Sequence, residues 1–148
     1  MGDPVKVFVD AGPFIALSNK DDPEHEDARK QFAKVAKTKR ILFTSDYVMD
    51  EVLSFATRKT KNPKIVLRLD GLIQDSMNIR LLKVDEEILT NSKIFLRKYA
   101  SMLLSLTDWT SVALVRKYAV EKIYSYDSDF DELKKLAEFK HIRRVESL

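Results

Sequence analysis

The feature of this sequence that most narrows its fold is an alternation. Short runs of β-branched and aromatic residues are separated by longer segments with helical spacing. The strand-like runs are Val5-Lys6-Val7-Phe8-Val9, Arg40-Ile41-Leu42-Phe43, Ile79-Arg80-Leu81-Leu82 and Lys122-Ile123-Tyr124-Ser125-Tyr126, with a weaker one from Ile142 to Val145. Between them, Glu24 to Ala36 carries Ala28, Phe32 and Val35 on one side, and Tyr47 to Thr57 carries Val48, Val52, Phe55 and Ala56. Pro63 opens a helix through Ile65, Leu69, Leu72 and Ile73, and Ile88 to Tyr99 and Asp108 to Val120 complete the set. Strands that alternate with helices point to the α/β class, with a largely parallel sheet covered on both faces. Three glycines and four prolines in 148 residues leave little room for linkers, so one domain over 1–148 is expected.

In such sheets ligands bind beyond the carboxyl ends of the strands, so the polar residues just after each strand bear the chemistry. Composition limits what that chemistry can be. The chain has no cysteine, which removes disulfides, thiolate zinc sites and cysteine nucleophiles, and only His25 and His141 offer imidazoles. A bound metal would be held by carboxylates, hence a hard cation such as Mg²⁺ or Mn²⁺. The net charge of +3 is compatible with a nucleic-acid partner. No apolar stretch approaches the roughly 20 residues that span a bilayer, and the start at Met1 lacks a signal-peptide layout, so a cytoplasmic protein without a membrane segment is expected.

Four acidic positions stand out. Asp10 ends the first strand run, before Ala11-Gly12-Pro13, which reads as a turn. Asp127 ends the fourth and continues as Ser128-Asp129-Phe130-Asp131 into Leu133 and Leu136. There Asp129 is expected to cap the following helix, and Asp127 to point over the sheet edge. Asp108 heads an apolar stripe with Val112, Val115 and Ala119, where an unpaired carboxylate is costly to bury and a cation would compensate. Glu51 borders the apolar face of its helix beside Val48 and Phe55. Carboxylates that crowd together raise one another's pKa, and a divalent ion relieves the repulsion.

On these residues the chain resembles the PIN-domain ribonucleases, including the VapC-like toxins of prokaryotic toxin–antitoxin pairs. The matching stretches are Val7 to Leu17 around Asp10, Thr44 to Leu53 around Glu51, Leu104 to Asp108 with Ala113, and Tyr126 to Asp131. The resemblance implies a three-layer α/β/α sandwich and an acidic site of Asp10, Glu51, Asp108 and Asp127, with Asp129 as a fifth candidate. It implies Mg²⁺- or Mn²⁺-dependent cleavage of single-stranded RNA by metal-activated water, leaving 5′-phosphate and 3′-hydroxyl ends. An antitoxin partner and a homodimer also follow from it, the latter supported by the apolar helices around Ile65–Ile73 and Phe95–Leu104. The alternative is a catalytically inactive PIN-like scaffold that binds RNA or protein. Many members carry Ser or Thr shortly after the first aspartate, where Ala11-Gly12 stands here.

A receiver domain would need an acidic pair after the first strand, and a haloacid-dehalogenase-like phosphatase an aspartate at Gly12; neither is present. Arg58, Lys59, Lys61, Lys64 and Arg68, downstream of Glu51, are candidates for phosphate contacts. Tyr47, Trp109 and Tyr126 offer rings for base stacking, with core or rim packing as the stronger expectation, and His25 reads as a helix-start residue without a catalytic role.

Overall fold

In the computed structural model, which describes residues 5–38 and 40–148, the strands β1 (Val7–Val9), β2 (Leu42–Ser45), β3 (Ile79–Leu82), β4 (Lys122–Tyr124) and β5 (Arg143–Val145) form one sheet. Their order is β3-β2-β1-β4-β5, and every neighbouring pair is parallel. The expectation about a leader concerns Met1 to Pro4, which lie outside the described residues. No helix among the described residues is long and apolar enough to cross a membrane.

The central strand shows why the sheet needs two covered faces. Val7, Phe8 and Val9 alternate sides of the sheet, and all three are buried. The helices that cover it are α1 (Ala11–Ser18), α2 (His25–Thr38), α3 (Asp46–Thr60), α4 (Pro63–Asp75), α5 (Glu86–Lys98) and α6 (Leu106–Lys117). α1 packs on α2 and α3, α3 packs on α4, and α5 packs along α6. Phe14, Phe32, Tyr124 and Tyr126 form one chain of ring contacts; Phe95, Tyr99, Trp109 and Phe139 form another. Trp109 is fully buried in the second group and is therefore a packing residue, unavailable for stacking on a base.

Three local expectations are corrected. Ala11-Gly12-Pro13 is the first turn of α1, not a connecting turn. Proline fits there because first-turn amides have no intrahelical acceptor. The expected helix through Leu133 and Leu136 is instead a pair of 3-10 segments, Ser128–Lys135 and Ala137–Phe139. Phe130 and Leu133 share one buried face at a three-residue period, and extended Leu136 (φ −101°, ψ 125°) breaks the run before Phe139 enters the core. α6 runs from Leu106 to Lys117, so Ala119, with φ 54°, lies outside it and is exposed, while Val112 and Val115 are buried as the stripe requires.

The strand order sets the place of the site. From β1 the chain moves outward through β2 to β3, then returns to the other side of β1 for β4 and β5. The crevice at this reversal opens beyond the carboxyl ends of β1 and β4. Asp10 follows β1 directly, and Ser125 to Asp127 follow β4.

Candidate active site

Asp10 is the residue that precedes α1, yet its carboxylate makes no cap to that helix. Its backbone N–H donates to the Tyr124 carbonyl (3.0 Å), which extends the β1–β4 ladder by one rung and fixes where the side chain leaves the sheet. The Ser125 hydroxyl donates to Asp10 Oδ2 at 2.7 Å and, on its other side, accepts the Asp127 N–H at 3.0 Å. Asp10 is only 7% exposed. Burial pushes its carboxyl up to about 6; the bonds from Ser125 and the Ala11 backbone oppose this, and the charges of Asp108 and Asp127 add to it.

Asp108 stands in the first turn of α6. Ser105 caps that helix by accepting the Asp108 N–H at 3.0 Å, and Asp108 Oδ2 accepts the Ser105 N–H at 2.9 Å, a reciprocal capping box. The carboxyl is raised all the same. Burial is the largest cause, the two Ser105 bonds oppose it, and the charges of Asp127 and Asp129 push the same way as burial.

Glu51 comes from α3, whose start is fixed by the Ser45 hydroxyl accepting the Val48 N–H at 3.1 Å. As a residue Glu51 is exposed. Its carboxyl is nevertheless pushed up to about 7, first by loss of surrounding water and then by Asp10, Asp108, Asp127 and Asp50. Asp108 and Asp127 thus bear on Asp10, Asp10 with Asp108 and Asp127 on Glu51, and Asp127 on Asp108, at the crevice that the strand order predicts.

The expected cap on this segment is corrected. Asp127 Oδ1 accepts the Asp129 N–H at 2.9 Å and caps the Ser128–Lys135 segment, so the cap is Asp127 and not Asp129. Both are exposed. Asp131 turns away to pair with Arg144.

The hydroxyl that the sequence lacks after Asp10 comes from across the sheet. Ser125 is fully buried at the end of β4 and was legible only as part of a strand run. One signal could have revealed it: a small hydroxyl residue amid Ile123, Tyr124 and Tyr126, two positions before the strand-ending acid. Thr44, also fully buried, donates from β2 to the Val9 carbonyl at 2.9 Å and holds the end of β1 from its other flank.

All the acids offer hard oxygen donors, and three of them carry carboxyls pushed up by burial and by neighbouring acids, which is the setting a divalent cation relieves. Among the described residues no three acidic or imidazole side chains are already drawn together as a ligand group. Arg58, Lys59, Lys61 and Lys64 are exposed at the end of α3 and the start of α4, as is Arg68 further along α4. Tyr47 and Tyr126 are half-buried, and His25 begins α2 with Nδ1 2.8 Å from the Ala16 carbonyl.

The family described as the PIN domain matches residues 7–136. The 23S rRNA-specific endonuclease VapC20 of Mycobacterium tuberculosis (strain H37Rv) is 26% identical over 124 residues, covering 84% of this chain and 91% of that protein. The crystal structure of M. tuberculosis VapC20, described as a sarcin-ricin loop cleaving toxin, superimposes with a TM-score of 0.76 at 25% identity, over 84% of this chain and 92% of that one. VapBC2 from Rickettsia felis, solved bound to a DNA fragment from its promoter, shares the fold at a TM-score of 0.68 and 9% identity, over 95% and 98% of the two chains. FitAcB from Neisseria gonorrhoeae does so at 0.61 and 14%, over 95% and 96%.

Proposed function

The chain belongs to the PIN-domain family, and from that premise we propose that it is a divalent-metal-dependent endoribonuclease of the toxin type, cutting single-stranded RNA at the carboxyl edge of its sheet. One observation carries the reading: buried Asp10, at the reversal of strand order, has its carboxyl raised to about 6 within the field of Asp108 and Asp127. A fold keeps such a group when a positive charge is to sit beside it. RNA is favoured as substrate because the relative VapC20 is named for 23S rRNA.

We assign Asp10, Glu51, Asp108 and Asp127 as the groups that hold Mg²⁺ or Mn²⁺, with Asp129 as a further donor. Such a cation, when bound, screens the phosphodiester and lowers the pKa of water. The chain's own groups do the rest. The Ser125 hydroxyl favours the ionised form of Asp10 and fixes its direction. Glu51, set among the other acids, would bind the cation or orient the attacking water. Arg58 lies seven residues after Glu51, about two helical turns on and on the same face of α3, which supports a contact with the RNA backbone; exposed Lys59, Lys61 and Lys64 follow it as further candidates.

The description of VapC20 as a toxin supports the further proposal of an antitoxin that restrains the activity. Exposed Leu67, Ile94 and Leu103 on or beside α4 and α5 support a homodimer. A single domain over 1–148 and a cytoplasmic location complete the proposal.

The test is to incubate the protein with unstructured RNA and Mn²⁺ or Mg²⁺, with and without EDTA. Cleavage that chelator abolishes is the expected result. Cleavage indifferent to EDTA overturns the metal mechanism, and bound RNA that is never cut favours the inactive scaffold.

A further inference from the structure

The segment that carries Asp127 and Asp129 is exposed, has three acids within five residues, and contains no regular α-helix to stiffen it. Left alone, such a segment would spread under its own charge. One side chain holds both of its ends. Arg144, on edge strand β5, donates from Nη1 to the Ser125 carbonyl at 3.1 Å, just before the segment. It also donates from Nε and Nη2 to the two carboxylate oxygens of Asp131, at 2.9 and 3.0 Å, just after it. Nη1 is shared with Glu146 at 2.8 Å on the outer side. The Arg144 side chain is 14% exposed.

We propose that Arg144 is a positioning residue for the acidic site, a guanidinium clamp that closes the Ser125–Asp131 loop and thereby sets where Asp127 stands relative to Asp10. The proposal rests on the metal-site reading given above. Three features carry it. First, the planar fork matches the Asp131 carboxylate with two parallel bonds and still spares a donor for Ser125, an arrangement lysine cannot copy. Second, the clamped residue is the one whose hydroxyl joins Asp10 to the Asp127 backbone, and the Ser125 N–H donates in turn to the Val145 carbonyl at 3.1 Å, next to Arg144. The loop is therefore fixed at Ser125 from both neighbouring strands. Third, both oxygens of the Asp131 carboxylate are engaged by Arg144, which ties the far end of the segment to β5. Four of the five guanidinium N–H groups are engaged within the protein, so its role is to place other groups and not to touch substrate.

The experiment uses the whole chain with Arg144→Gln and Arg144→Lys, and Asp131→Asn as the milder variant should Arg144→Gln fail to fold. The first readout is amide exchange on metal-free protein. The Asp127 and Asp129 amides, which bond within the loop, lose protection in Arg144→Gln while those of α5 keep theirs. The second is Mn²⁺ affinity by calorimetry, which falls about 10–100-fold, the range for residues that orient a metal ligand. Arg144→Lys gives an intermediate fall, and Arg144→Gln has no further effect in an Asp127→Asn background. Unchanged loop exchange overturns the clamp irrespective of any metal. Lost protection with unchanged Mn²⁺ affinity, or an equal loss in the Asp127→Asn background, reduces Arg144 to a fold staple and overturns the positioning role. No Mn²⁺ binding by the wild-type protein, with the exchange change still seen in Arg144→Gln, refutes the metal-site reading, and with it the positioning role.

Discussion

Ser125 and Asp10, 115 positions apart in the chain, are joined by a hydrogen bond of 2.7 Å between a buried hydroxyl and a buried carboxylate. The bond works against burial: it favours the charged form of a group that its surroundings would keep neutral. Its value to a metal site is to lower the competition from protons.

Ser125→Ala should therefore raise the Asp10 carboxyl beyond its present value of about 6. Mn²⁺ binding then weakens most at mildly acidic pH and recovers as the solution becomes alkaline. Titrations at about pH 6 and about pH 8.5 check this. A loss of affinity equal at both would mean that the hydroxyl acts by geometry alone.

The same carboxyl makes the metal-free protein pH-dependent. Asp10 titrates near 6 when folded against 3.8 when free, so between these values the folded state binds the extra proton. Stability consequently falls as pH rises through that window, by an amount on the order of 3 kcal/mol for Asp10. Asp108, also raised, adds with the same sign; Glu51 does so up to about 7, with less weight because water screens it. Urea midpoints of chelated protein at about pH 4 and about pH 7.5, which bracket the window, should differ less in Asp10→Asn than in wild type. Mn²⁺ should restore wild-type stability at the higher pH. Equal slopes in the two proteins would remove Asp10 as the source.

Asp108→Asn should abolish cleavage and stabilise the metal-free fold at neutral pH, because asparagine can still accept the Ser105 N–H while shedding a charge held in a water-poor place. Thermal denaturation alongside an RNA-cleavage assay tests both halves. Full activity in this variant would take Asp108 out of the site.

Asp127 and Asp129 should part ways in stability as well as in metal binding. Since Asp127 supplies the cap, Asp127→Ala costs about 1 kcal/mol and Asp127→Asn little, while Asp129→Ala leaves the fold nearly untouched. Mn²⁺ affinity should suffer more in Asp127→Asn than in Asp129→Asn, because Asp127 presses on Asp10, Glu51 and Asp108, and Asp129 figures among the charges on Asp108 but not on Asp10 or Glu51. The reverse order of affinities would transfer the ligand role to Asp129.

Neutralising Arg58, Lys59, Lys61 and Lys64 to glutamine should raise KM for RNA and flatten its dependence on salt, with kcat little changed. All four are exposed, so the fold should tolerate the change. A KM that does not move would place the RNA path elsewhere.

The three central strands were legible because they are buried and spell that out in β-branched and aromatic residues, and on the edge Ile79–Leu82 matches to the residue. The acids after β1 and β4 were legible because strand ends in a parallel sheet leave few places for a carboxylate. Helix α1 was hidden by Gly12 and Pro13, whose usual meaning is a turn, although proline costs nothing in a first turn. The cap at Asp127 was hidden because two aspartates two positions apart have the same propensity, and only the path of the backbone separates them. Ser125 showed only as a hydroxyl residue in an apolar run and Arg144 not at all, since each gains its meaning from a residue on another element.

The placement of β1 between β2 and β4 also governs when the site comes into being. Asp10 is made early, but the rung that fixes it, from its N–H to the Tyr124 carbonyl, and the hydroxyl that charges it both wait for residues synthesised more than a hundred codons later. A nascent chain lacking β4 has a first strand with one flank open and no assembled acidic centre. The acidic centre thus cannot assemble before the chain has been made through β4 and Ser125.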